Sequence, residues 1–197
     1  MPTSTSQRTS LKPPPSKKVV LGIDPGLATT GWGVIEKDLG KVTLRAFGTI
    51  QTPAHQDLSV RLLQIQKELS GLIDTHGPDV LAIEELFFTK FAVSIASTAQ
   101  ARGAILLTVA LKDIQLVEYN PRTVKIAMTG FGSASKIQMQ SMLQRFFQLK
   151  ELPTPDDAAD AVAIALCHLQ THHALKVTTT RKTRALFEAD LLQRSLQ

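Results

Sequence analysis

The feature that most restricts the fold is a pair of short apolar runs, residues 19–23 and 80–83, each ending abruptly in an acid, Asp24 and Glu84. Runs this short, bounded by turn residues, read as interior strands rather than helices. A carboxylate at the end of such a strand is presented at the rim of a sheet, and if the strands are neighbours both acids stand on the same edge. Only one of Glu84 and Glu85 faces the productive way, because successive strand side chains alternate. Residues 31–35 and 42–50 are strand-like and flank a polar turn, which gives a meander of three strands with 19–24. Leu58, Leu62, Ile65, Leu69 and Leu72 repeat at helical spacing until Gly77-Pro78 closes the segment, so a helix is expected over 57–75. A long helix over 92–111, a strand over 116–119, a helix opening at Pro121 and helices over 135–147 and 154–168 complete the pattern. Three antiparallel strands followed by alternating helix and strand imply an α/β fold, a mixed sheet with helices on its faces.

One ordinary domain with a sizeable core, plus tails, accounts for 197 residues. A chain that is 43% hydrophobic and 20% charged is neither collagen-like nor wholly disordered. No apolar stretch approaches the roughly 18 unbroken residues of a membrane span, so no membrane partner is expected. Cys167 is the single cysteine, which excludes an internal disulfide and a thiolate zinc site and favours a reducing, intracellular compartment. The net charge of +5 invites a nucleic-acid reading, but its location qualifies it. Residues 1–18 carry Arg8, Lys12, Lys17 and Lys18 with no acid, residues 171–197 carry five basic and two acidic residues, and 19–170 has 13 basic against 15 acidic. The Ser-, Thr- and Pro-rich stretch 1–18 is expected to be a disordered basic arm, with an organelle transit peptide as the alternative. After a linker at 176–180, residues 181–196 have the pattern of one more helix.

Three clusters of acids carry the chemistry. Asp24 lies in GIDPGLATTGWG, flanked by Gly22 and Gly26, which let other groups approach closely; the plain alternative is an ordinary turn aspartate. Glu84 repeats the arrangement, its plain alternative being a solvated strand end. In PTPDDAADAVAIALCH, Thr154 reads as an N-cap, Pro155 as the first helical residue and Asp157 as the third, so capping accounts for Asp156 or Asp157. It does not account for Asp160, which sits in the second turn among Ala158, Ala159, Ala161 and Val162, where an unpaired carboxylate against a core is costly. Asp157 and Asp160 are three apart and share a helical face, and an alanine-rich helix can pack close against a sheet. Two strand ends and one helix thus bring four carboxylates together as a site for one or two Mg²⁺ or Mn²⁺ ions. Metal-assisted phosphodiester hydrolysis is the natural use of such a site.

The order of these motifs resembles the RuvC family of Holliday-junction resolvases within the ribonuclease H-like superfamily. The likeness runs from GIDPGLATTGWGVI through AIEELFF, TAQARGAI, EYNPRTVKIAMTGFGSASKIQMQ and PDDAADAVAIA, across about residues 19–170. It implies a ribonuclease H-like fold, a five-stranded mixed sheet with helices on both faces, in a nuclease domain over 19–173 followed by a basic extension over 174–197. The resemblance puts the family's catalytic, metal-binding acids on Asp24, Glu84, Asp157 and Asp160, with two Mg²⁺ per subunit expected and Mn²⁺ as a substitute. It implies a homodimer that nicks two strands of a four-way DNA junction symmetrically during recombination and repair, assisted by branch-migration proteins of the RuvA and RuvB type, in the cytoplasm near the nucleoid. Helix 92–111 would form much of the dimer interface; Ala96, Ala99, Gly103, Ile105 and Leu106 suit that or packing on the sheet. Lys90, Lys125 and Lys136 are expected DNA contacts, although a lone lysine is by default a solvated charge. Gly130, Gly132 and Ser133 form a loop before a helix N-terminus, where amides favour an anion. Phe87 and Phe88, core aromatics by default, would stack on or wedge between unpaired bases at the junction centre.

Other readings stay open at this point. Asp-x-Gly also occurs in actin-like ATPases and sugar kinases, which need a second lobe that this length does not hold. A YqgF-like RNA nuclease of the same superfamily accounts less well for PDDAAD and GFGSASK. A non-catalytic junction-binding module is a third possibility, and a zinc site at His168, His172 and His173 a fourth.

Overall fold

The computed structural model describes residues 17–86 and 92–171. Among them the order of elements is β1 (Lys17–Asp24), β2 (Thr29–Asp38), β3 (Lys41–Gln51), α1 (Leu58–His76), β4 (Val80–Glu84), α2 (Ala92–Leu111), β5 (Gln115–Tyr119), α3 (Pro121–Thr129), α4 (Lys136–Phe147) and α5 (Asp156–Thr171). The strands form one mixed sheet in the order β3-β2-β1-β4-β5. The first three make an antiparallel meander, whereas β4 runs parallel to both β1 and β5. Helices α1 and α2 cover one face, where Ile65, Leu69, Ile105 and Val109 share a core with Leu21, Ile23, Leu81 and Ile83. Helices α3, α4 and α5 cover the other, where Val124, Leu143 and Val162 join Val20, Ala82 and Val117. This is the α/β fold with a five-stranded mixed sheet and helices on both faces that the sequence implied.

Local chemistry sets the boundaries. Leu39 and Gly40, at φ 47° and 86°, form a two-residue turn of the kind that suits the right-handed twist of a hairpin. Helix α1 ends at Gly77, whose φ of 55° is left-handed and whose N–H reaches the Ile73 carbonyl. Strand β1 begins two residues earlier than expected: Lys17 and Lys18, assigned from sequence to the arm, pair with Asp38 and Lys37. Helix α5 begins at Asp156, and the Pro155 carbonyl accepts from the amides of Ala158 at 3.1 Å and Ala159 at 3.2 Å. Pro155 therefore occupies the capping position expected of Thr154. The two readings of α2 also separate, because Ala101, Ile105 and Val109 are fully buried toward the sheet. Ala96, Gly103, Leu107 and Leu111 lie along its exposed side.

Helix α5 lies close on the sheet. Gly22 of β1 pairs with Gly33 of β2, and Asp24 pairs with Gly31. A Cβ at Gly22 would stand 2.8 Å from the Ala165 amide nitrogen, and one at Gly33 would stand 3.0 Å from the Val162 Cα. One at Gly31 would overlap the Asp157 carbonyl and stand 3.1 Å from the Ala158 amide nitrogen. Small residues on both partners thus let the helix backbone rest on the sheet, and Gly31 seats the first turn of α5 directly beside Asp24.

Candidate active site

Strand alternation decides where the acids point. On β1, Leu21 and Ile23 belong to the core under α1 and α2, whereas Val20 belongs to the core under α5. Asp24 continues the Val20 and Gly22 series and faces α5. On β4, Ala82 lies on the α5 side and Ile83 on the other, so Glu84 faces α5 as well. Because Ile23 is registered with Ile83 in the parallel pair, the next residues on each strand, Asp24 and Glu84, end as neighbours. Asp157 and Asp160 reach this edge from α5, with the backbone of Asp157 held against Gly31. Glu85 turns aside and accepts a hydrogen bond from the Asn120 side chain at 3.4 Å.

Burial and mutual repulsion both raise the pKa of Asp24, Glu84 and Asp160. Burial, and then the charges of Glu84, Asp160 and Asp157, push the Asp24 carboxyl up to about 8, with Lys136 opposing. Burial and then Asp160 push Glu84 up to about 7, opposed by Lys125 and Lys136. Asp160 is raised as well, by burial first, with Lys136 opposing and Asp156 and Asp157 adding. Burial works against the Lys136 ammonium, but Asp160, Asp156 and Asp157 outweigh it and its pKa is raised. Its Nζ lies 3.6 Å from Asp156 and 3.8 Å from Asp160. Lys125, Lys136, Glu84 and Asp160 line a common pocket of about 200 Å³. Among the described residues no three Asp, Glu, His or Cys side chains close into a ready-made metal cage. The donor set nevertheless fits a hard divalent cation, since it is all oxygen and its members resist ionising together unless positive charge intervenes.

Residues 20–168 match the model of the family described as crossover junction endodeoxyribonuclease RuvC. The chain belongs to the RuvC family. It is 53% identical to the RuvC of Endomicrobium trichonymphae over 154 residues, 78% of this chain and 81% of that one. With the RuvC of Syntrophomonas wolfei it shares 45% identity over 166 residues, 84% of this chain and 96% of the relative. Among solved structures, Thermus thermophilus RuvC in complex with a Holliday junction substrate superposes with a TM-score of 0.74 at 31% identity, covering 79% of this chain and 94% of that one.

Within this RuvC framework the structure gathers Asp24, Glu84, Asp157, Asp160, Lys125 and Lys136 at one sheet edge. Phe87, Phe88 and Lys90 lie outside the described residues, as do His172 and His173. His168, offered above as a zinc ligand, is fully buried, and its Nδ1 is 2.7 Å from the Tyr119 hydroxyl. That contact ties one ring nitrogen into the core, away from the carboxylates. The α4 N-terminus is less open to anions than its loop suggested. Ser135 and Gln138 form a capping box that occupies each other's backbone amides, and the Phe131 amide is held by Thr129 Oγ1 at 3.1 Å.

Two residues bearing on the RuvC site escaped the sequence reading. Arg102 of α2, 7% exposed, donates to the Glu84 carbonyl through Nη1 and pairs with Glu118 at 2.8 Å through Nη2, so it fixes the end of β4. The signal was present: a lone arginine amid Ala101, Gly103, Ala104 and Ile105 is as conspicuous as Asp160 among its alanines. Gln140 of α4 donates to Asp156 at 3.0 Å and to the Pro153 carbonyl at 3.1 Å, bracing the entry to α5. Nothing in its sequence context marked it.

Proposed function

We propose that this chain is a structure-selective, metal-dependent endonuclease that resolves four-way DNA junctions by paired symmetric nicks in recombination and repair. The observation that carries the reading is the convergence of four acids from three elements on one face of the sheet edge, beside two lysines, in a chain of the RuvC family. Asp24, Glu84, Asp157 and Asp160 would hold two Mg²⁺ ions, with Mn²⁺ as a substitute. Bound there, divalent cations supply an activated water and stabilise the attacking and leaving oxygens of an in-line displacement. Lys125 and Lys136, at the mouth of the same pocket, orient the scissile phosphate and offset its charge. Asp24 must surrender the proton that it holds up to about pH 8, so loading strengthens as the pH rises through the neutral range.

The exposed stripe Ala96, Gly103, Leu107 and Leu111 on α2 supports a homodimer, whose two-fold symmetry matches that of a four-way junction. Phe87 and Phe88 come three and four residues after Glu84, which suits stacking against junction bases, and Lys90 would contact the same strands. Among the described residues no helix is long and apolar enough to cross a membrane. A cytoplasmic, nucleoid-associated enzyme working with branch-migration proteins of the RuvA and RuvB type fits this reading.

The test is incubation of wild type and Asp24→Asn with a synthetic four-way junction, a linear duplex and an RNA of the same sequence, in Mg²⁺, Mn²⁺ or EDTA. Wild type should cleave only the junction, at symmetric positions and only with a divalent ion, while Asp24→Asn binds it without cutting. Cleavage in EDTA, or preference for linear DNA or RNA, overturns the proposal.

A further inference from the structure

We propose that Arg122, laid across Gly132, holds a backbone phosphate of the DNA strand adjacent to the one engaged by the carboxylate site; this rests on the nuclease reading above. Arg122 and Lys125 are three residues apart on α3 and share one face, with Cβ atoms about 5–6 Å apart in such a pair. Lys125 lines the pocket that holds Glu84 and Asp160. It also lines a second, shallower basin of about 470 Å³ shared with Asn120, Pro121, Arg122 and Gly132. The two basins therefore meet at Lys125 and Pro121, and a strand leaving the first passes into the second.

Two observations mark Arg122 as prepared for a ligand. Among the described residues it has no carboxylate partner, whereas Arg45, Arg102, Lys112 and Lys136 each have one. Its stem also lies over a glycine that the backbone does not require. Gly130 needs to be glycine, since its φ is 81°, but Gly132 is not among the positive-φ residues. A Cβ at Gly132 would stand 2.7 Å from Arg122 Cγ and 2.8 Å from Nε. The missing side chain thus leaves room for the arginine to lie flat over the loop. A guanidinium presents a planar fork that pairs with phosphate through two parallel hydrogen bonds. The ligand class is a phosphodiester of the nucleic-acid backbone, read without regard to base.

The experiment measures junction binding in an Asp24→Asn background, so that it does not depend on cleavage, over a range of salt and with single neutral methylphosphonates stepped along the strand on either side of the scissile position. Arg122→Gln should weaken binding about tenfold and lower the slope of log K against log salt by about one. Arg122→Lys should keep the slope and recover part of the affinity. Gly132→Ala, which displaces a flexible side chain rather than backbone, should weaken binding while leaving the far-ultraviolet spectrum and thermal midpoint near wild type. One methylphosphonate position should cost the parent its affinity and cost Arg122→Gln nothing further. In cleavage assays of the otherwise wild-type chain the loss from Arg122→Gln should fall mainly on KM. Unchanged affinity and slope in Arg122→Gln, or methylphosphonate profiles that coincide for the two proteins, overturn the assignment. A wild-type chain that fails to cut junctions overturns the nuclease reading instead, whatever Arg122 does.

Discussion

Replacing Gly31 by alanine probes the contact on which the site's geometry depends. The new carbon would overlap the Asp157 carbonyl and lie 3.1 Å from the Ala158 amide nitrogen, against an ordinary contact of 3.4 Å or more. Both neighbours are backbone, and Gly31 is paired to Asp24 on β1 and Thr49 on β3, so the strand has little room to yield. The first turn of α5 must therefore retreat by on the order of 1 Å, a displacement that costs about 100-fold in rate when it misplaces reacting groups. Asp157 rides on that turn and Asp160 on the next, while Asp24 and Glu84 stay with the sheet, so the metal-dependent rate should fall about 100-fold and the Mg²⁺ midpoint should rise. Overpacking of this kind costs about 1–3 kcal/mol, a fall of roughly 2–12 °C in Tm for a domain of this size. Single-turnover cleavage of a four-way junction across a Mg²⁺ titration at 25 °C, with circular dichroism to establish folding, separates the lost geometry from lost structure. Gly71→Ala is the matched control, because nothing lies within 4 Å of a Cβ there and the site is mid-helix; it should raise stability by about 0.5–1 kcal/mol and leave cleavage alone. A folded Gly31→Ala protein that cuts at nearly the wild-type rate with an unchanged Mg²⁺ midpoint would refute the reasoning.

Three further outcomes follow from the same geometry. In EDTA, stability should fall as the pH rises from about 4 to 8, because folded Asp24 keeps its proton up to about 8 while the unfolded chain releases it near 3.8. The slope is at most about 1.4 kcal/mol per pH unit for one carboxyl, less with solvent screening; Asp24→Asn should reduce it, leaving the part that Glu84 and Asp160 contribute, and a metal-free Tm that climbs over this range contradicts the site's electrostatics. Arg102→Gln should cost about 2 kcal/mol, less than a fully buried pair because Glu118 is 38% exposed, and should raise the Mg²⁺ midpoint by loosening the end of β4; Arg102→Lys should restore little, since a point charge does not span both partners. Deleting residues 1–16, which carry Arg8 and Lys12, should weaken DNA binding at low salt and spare cleavage, whereas deletion through 18 should also lower Tm by removing two rungs of β1, as thermal denaturation of the two truncations will show.

Much of this protein was legible in its linear pattern. Two apolar runs closed by acids, one amphipathic helix ended by Gly77-Pro78 and an alanine-rich helix bearing Asp160 were enough to fix the fold class and to single out four carboxylates. These signals are local: periodicity reports which face is buried, and an acid among alanines is conspicuous because burying it alone is costly. What the pattern left open depended on contacts between distant residues. The parallel register of Ile23 with Ile83 makes Asp24 and Glu84 neighbours, and no spacing within either strand encodes it. The service of Gly31 to Asp157 and of Arg102 to the Glu84 carbonyl likewise joins separate elements, and that of Gly132 to Arg122 depends on how the loop after α3 folds back on its helix. Sequence by itself thus determined which chemistry the protein carries, because residue type and period are local properties. Tertiary structure alone decided how closely those groups meet, because that distance is set by the packing of one backbone on another.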